Sequence, residues 1–242
     1  MLILSFFLFF GGGQTPTLQE TNAGLQTVYD AIVGDDGNVD YRTLNHTMNL
    51  SSSLQRVTDF GAVFDPQKVD DKNQKIAILA NLYNAYTLLG VQRAWPVKSV
   101  RDIRPFFGFF TRDEWPFNGR NVSLNHIEKK HLQELDPRIH FLINCASKSC
   151  PNLIDRVFTA NNVEAHMDEA AKRFLLDEQK NRFDRDADEW FLSKIFKWYE
   201  ADFGGRDGVI SFIQKYRPDL ADWTPGKIKY LTYDWSLNGP TN

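Results

Sequence analysis

The sequence predicts one helix-rich α+β domain with a small, mostly antiparallel sheet. Apolar residues recur at helical spacing in several separate stretches, short strand-like runs flank an Asn-Gly turn, and no repeat, low-complexity segment or linker divides the chain. The 242 residues are 42% hydrophobic and 14% aromatic, which is enough for one substantial core.

Residues 1–17 begin with the apolar run MLILSFFLFF, followed by Gly-Gly-Gly and polar residues. That run is about half of the roughly 20 residues that span a bilayer, and it suits a signal-peptide core. A buried N-terminal strand is the alternative. The expectation is a signal peptide or apolar N-terminal segment over 1–17 and a single domain over 18–242, with no stable membrane span in the mature chain. The location implied is secreted or lumenal, extracellular or periplasmic. Three sequons, at Asn45, Asn49 and Asn121, would accept glycans in a eukaryotic source.

Leu25, Val28, Tyr29 and Ile32 predict a helix over 19–33, which Asp35-Asp36-Gly37-Asn38 ends as a turn. A second helix is expected over 49–60. Asp65-Pro66 reads as an N-cap with proline in the first turn. The strongest helix, 75–95, carries Ile76, Leu79, Leu82, Tyr83, Tyr86 and Leu89. So many apolar positions predict burial on most sides, and Asn81 and Asn84 within it then need internal partners. Residues 97–120 are aromatic and irregular, with a hairpin turn at Asn118-Gly119. A short helix is expected over 125–135, a strand over 138–145, helices over 163–176, 193–199 and 208–216, and a last strand over 228–233.

The net charge is −3, from 28 basic and 31 acidic residues, with no basic tract. No nucleic-acid partner is expected. The chain has no Walker loop, dinucleotide-binding glycine pattern, HExxH or GxSxG, so nucleotide, metalloprotease and serine-hydrolase readings lose support. No cofactor is expected.

The chemistry-bearing residues gather in DPRIHFLINCASKSCPNL, residues 136–153. On a strand over 139–145, His140 and Cys145 would point to opposite faces. Cys150 follows a small polar loop and precedes Pro151, which places it at the N-cap of a short helix. There the backbone N–H groups and Lys148 would favour a thiolate. His140 would take the thiol proton and later return it to the leaving group. Glu128 or Asp136 would orient the imidazole, with Glu128 preferred because it lies on another element. Asn125 and Glu128 also have capping-box spacing, so Glu128 could simply cap its own helix. Two other readings remain open for the cysteines. They could form a small-loop disulfide in an oxidising compartment, or bind zinc with His140, a water or Glu128 completing the shell. His126 and His131, five apart, should not share a helix face.

Several stretches together carry a resemblance: NLYNAY at 81–86, VSLNHIE at 122–128, residues 136–153 above, LSKIFKWYEADF at 192–203 and YLTYDWSLN at 230–238. They resemble the family called domain of unknown function 547, DUF547, over roughly residues 70 to 240. The resemblance implies a link to papain- and transglutaminase-type thiol hydrolases with a Glu-His-Cys set. Carried onto this chain, the set is Glu128, His140 and Cys150, in an order that implies a permuted papain-like arrangement. Asn81, Asn84, Trp198, Asp202, Asp234 and Trp235 also match the family pattern and are expected in structural roles. The function expected is a cysteine-dependent hydrolase acting on peptide, amide or related acyl bonds. The alternative is a non-catalytic secreted binding domain with a Cys145–Cys150 disulfide.

Overall fold

The computed structural model describes residues 15–240, and the apolar run at 1–14 lies outside them. Ten α-helical segments occur in this span: α1 (Leu18–Ile32), α2 (Tyr41–His46), α3 (Met48–Val63), α4 (Lys72–Ala94), α5 (Val100–Ile103), α6 (Gly108–Thr111), α7 (Leu124–Ile127), α8 (Val163–Leu176), α9 (Ile195–Trp198) and α10 (Gly205–Tyr216). Five short strands join them: β1 (Trp115–Phe117), β2 (Arg120–Val122), β3 (Arg182–Asp184), β4 (Glu189–Leu192) and β5 (Lys227–Tyr230). β1 and β2 form the hairpin expected at Asn118-Gly119. β3 and β4 pair antiparallel, and β5 adds to β4 in parallel. The domain is therefore helix-rich α+β with small sheets, as its patterning predicts.

Helix α4 is the axis of the domain. Every residue from Ile76 to Val91 is buried, because α2 and α3 as well as α7 and α8 pack against it. Asp71 caps it, and Asp65 instead caps the separate 3-10 turn Pro66–Lys68. α1 opens with a reciprocal capping box between Thr17 and Glu20.

The two buried amides of α4 do what an interior polar group must. Asn81 donates to Phe158 O at 2.8 Å and accepts from Phe158 N at 3.1 Å. Asn84 donates to Leu142 O at 3.0 Å and accepts from Asn144 N at 2.8 Å. Each amide thus serves two backbone groups of a loop that has no strand partner. Asn84 in particular anchors the segment running into Cys145.

The structure corrects two sequence expectations in this segment. Residues 137–141 form a 3-10 helix capped by Asp136, and 142–145 is irregular loop, not strand. The run Ile-His-Phe-Leu-Ile has strand-like composition, but Pro137 and the Asp136 cap start a helical turn, and the buried amides satisfy what a sheet ladder would otherwise serve. No helix follows Cys150 either, since 151–154 is extended loop. The opposite-face argument for His140 and Cys145 and the helix-dipole argument for Cys150 both fall.

Candidate active site

The cysteine loop is shaped by Asn144. Its side chain donates to Pro151 O at 2.7 Å and accepts from Ala146 N at 2.8 Å, tying the two ends of the loop together. Ala146 takes a left-handed conformation, φ 60°, at the tight turn this closure requires. The chain's last segment clamps the loop from outside: Lys148 N donates to Ser236 O and Asn238 N to Ala146 O.

Within this loop the two sulfurs have different environments. Both are free thiols, so the disulfide alternative is not the state of this structure. Cys150 is only 5% exposed. Its Sγ accepts the Cys145 N–H at 3.0 Å and contacts Ile143 O at 3.8 Å. Burial pushes its pKa well up, and the neighbouring Cys145 sulfur adds to the rise. Cys145 is partly exposed, with Sγ 3.0 Å from the Ser147 hydroxyl and 3.3 Å from the Tyr233 hydroxyl. Enclosure raises its pKa, but hydrogen bonds from Cys150, Ser147 and Tyr233 outweigh it and bring the thiol down to about 7. Cys145 is the more exposed and the more acidic of the two sulfurs, and Cys150 is its buried neighbour.

His140 is buried between two carboxylates. Nε2 lies 2.7 Å from Asp202 Oδ2, and Nδ1 lies 3.8 Å from Glu128 Oε1. Its ring stacks on Tyr199 with centroids 3.8 Å apart. Burial lowers its pKa, opposed by Asp202, so the neutral imidazole is favoured. With Asp202 accepting from Nε2–H, Nδ1 carries the lone pair. The carboxylate that binds the ring at Nε2 is therefore Asp202, from the 3-10 turn Glu200–Phe203. Glu128 occupies the other side of the ring. Asp136 is committed elsewhere, bound by Arg138 at 2.9 Å and by Lys72 at 3.3 Å.

Glu128 does not cap its helix. Ser123 does so, and Glu128 opens a π-helical turn running to Leu132. The wider turn also brings His126 and His131 edge to face at 5.3 Å, since residues five apart align on a π-helix. Burial raises the Glu128 pKa, with a bond from the Tyr199 hydroxyl opposing the rise. Stability that rests on the protonated carboxyl is complete below its ordinary value of 4.5 and is lost as pH rises through the folded-state value. Glu128→Gln should therefore raise the melting temperature relative to wild type at about pH 8 and leave it nearly unchanged at about pH 4. Thermal scans at both pH values check this.

These groups meet in one cleft of about 440 Å³. Glu128, His140, Cys145 and Cys150 all line it. Its aromatic side comes from Phe107, Phe110, Trp198, Tyr199, Tyr233 and Trp235. The aromatic run at 106–110 divides: Phe109 and Phe110 are buried, Phe107 faces the cleft and Phe106 is exposed. Among the described residues, no cluster of three His, Cys, Asp or Glu side chains could hold a metal ion, so the zinc reading has no ligand set there. No helix among them is long and apolar enough to cross a membrane.

Fold and site together define a helix-rich α+β domain whose central cleft holds thiol, imidazole and carboxyl groups. Residues 66–175 match the family model described as protein of unknown function, DUF547. The match is shorter than the 70 to 240 span that the sequence resemblance covers. It contains Glu128, His140 and both cysteines, while Asp202 and the aromatic residues at 198–235 lie beyond it. No curated protein and no solved structure matches the chain. The papain- and transglutaminase-like relationship, with its permuted arrangement, is not borne out.

Proposed function

We propose that this chain is a cysteine-dependent hydrolase of acyl bonds, with Cys145 as the nucleophile. The observation that carries the reading is the Cys145 sulfur held by the Ser147 and Tyr233 hydroxyls, in a cleft shared with His140 and Glu128. Hydroxyl donors favour the thiolate, the form that attacks a carbonyl carbon. In the first half-reaction the thiolate adds to the carbonyl and the bond to the leaving group breaks. The leaving group takes its proton from Glu128, a carboxyl that burial favours in the neutral form. In the second, water attacks the thioester, His140 Nδ1 accepts its proton and passes it to Glu128, and the freed acid leaves Cys145 as thiolate. Asp202 holds the imidazole so that Nδ1 is the basic nitrogen. One water is consumed and every group returns to its starting state.

The test is turnover of activated acyl esters by the purified protein, followed against pH. Expected is a rate above buffer that rises with an apparent pKa near the value of about 7 for Cys145. Absence of turnover at every pH contradicts the reading. We also read the chain as secreted or lumenal, from the apolar run at its start and from three sequon asparagines, Asn45, Asn49 and Asn121, that are all exposed.

A further inference from the structure

The aromatic side of the cleft begins one ring away from the reactive sulfur. Tyr233, whose hydroxyl touches Cys145, packs its ring 4.8 Å from Trp198 and 4.5 Å from Trp235. Trp198 stacks on Trp235 at 5.8 Å, and Phe107 meets Trp235 edge-on at 5.3 Å. These rings come from three separated segments, so their convergence beside the cysteine is a product of the fold.

The two hydroxyls of this wall are already committed. The Tyr233 hydroxyl serves Cys145 and Ser147, and the Tyr199 hydroxyl serves Glu128. What the wall offers a ligand is ring faces and edges. Polar lining comes from the other side, from Asn125, Glu128, Lys129 and His140.

The rim is apolar and open. Trp198 is 47% exposed and Phe107 43%, although both pack against Trp235. Phe106 and Phe107 both take left-handed backbone conformations, φ 54° and 59°, which aromatic residues rarely adopt. That backbone turns Phe107 onto Trp235 and leaves the Phe106 ring in solvent. Exposed aromatic surface concentrated at the mouth of a cleft marks a place where an apolar ligand is desolvated.

We propose that the acyl group accepted by this cleft carries a medium-length apolar chain, laid against Trp198, Trp235 and Phe107, with its carbonyl at Cys145. The proposal deepens the hydrolase reading and rests on it for the position of the carbonyl. Carbohydrate and short polar acyl groups are the disfavoured ligands, because they cover less of the exposed apolar ring surface of Trp198 and Phe107.

The probe is decanoate, titrated into the native protein below its aggregation concentration and followed by calorimetry and by the rate at which iodoacetamide labels Cys145. Expected are saturable binding and matching protection of Cys145, with neither effect from acetate or methyl glucoside. Trp198→Ala should weaken decanoate binding about tenfold, in line with the apolar area lost. Phe107→Gly, which suits the left-handed backbone, should weaken it as well and carries the test if the tryptophan variant does not fold. Failure of decanoate to bind, binding unaffected in both variants, or equal binding of methyl glucoside overturns the proposal. Turnover of a p-nitrophenyl ester series separates it from the hydrolase reading. Hydrolysis indifferent to chain length leaves the hydrolase standing and removes the apolar throat, whereas decanoate binding without hydrolysis of any ester does the reverse.

Discussion

Replacing Cys145 with serine should lower ester turnover by about a thousandfold or more, whereas Cys150→Ser should retain activity within about tenfold. The asymmetry follows from the two sulfur environments. The Cys145 sulfur is partly exposed and lies within hydrogen-bond reach of the Ser147 and Tyr233 hydroxyls. Cys150 is 5% exposed, its pKa is pushed up and its sulfur accepts a backbone N–H. A serine at 145 keeps the shape but loses the thiolate, since an alkoxide is far less accessible than a thiolate near neutral pH. A serine at 150 can still accept the Cys145 N–H, so the loop should keep its geometry. Side-by-side turnover of the two variants, with circular dichroism to confirm folding, checks the result. Loss confined to the Cys150 variant would restore the role assigned to that residue from sequence.

Asn84→Ala should be among the most destabilising single substitutions in the chain. The amide serves Leu142 O and Asn144 N, both in buried surroundings. Truncation strands two backbone groups, each costing about 1–3 kcal/mol, so a loss of roughly 2–6 kcal/mol is expected. For a domain of this size that corresponds to a fall of about 5–15 °C in melting temperature. Asn84→Asp keeps the acceptor for Asn144 N and loses only the donor to Leu142 O, and it should fall between wild type and alanine. Asn144 in turn closes the cysteine loop, so the alanine variant should also lose the low Cys145 pKa. A small stability change would mean that the loop is held mainly by the clamp from residues 234–238.

The fold was readable wherever the sequence has a strong period. Helices α1, α3, α4 and α8, the Asn118-Gly119 hairpin and the need of Asn81 and Asn84 for internal partners all follow from apolar spacing or turn chemistry. The stretch at 138–145 misled because its apolar run has no period that separates strand from 3-10 turn, and its backbone bonds are supplied by amides some 60 residues away. The candidate site was legible as a neighbourhood: Glu128, His140, Cys145 and Cys150 do line one cleft. Their roles were not. Which sulfur is exposed depends on the Asn144 closure and on Tyr233, and which carboxylate binds Nε2 depends on a turn 62 residues from His140. Asp202 stood in the resembling stretch LSKIFKWYEADF, and that match was the one signal that could have raised it above a structural role. No periodicity reports contacts at such separations.

The most direct test of the account is the rate of iodoacetamide labelling of the native, reduced protein as a function of pH, with the modified residue located by mass spectrometry. The prediction is a single fast label on Cys145, with a rate that rises through a midpoint near 7, while Cys150 reacts only after unfolding. Fast labelling at Cys150, or a Cys145 midpoint at the ordinary thiol value near 9, would contradict it.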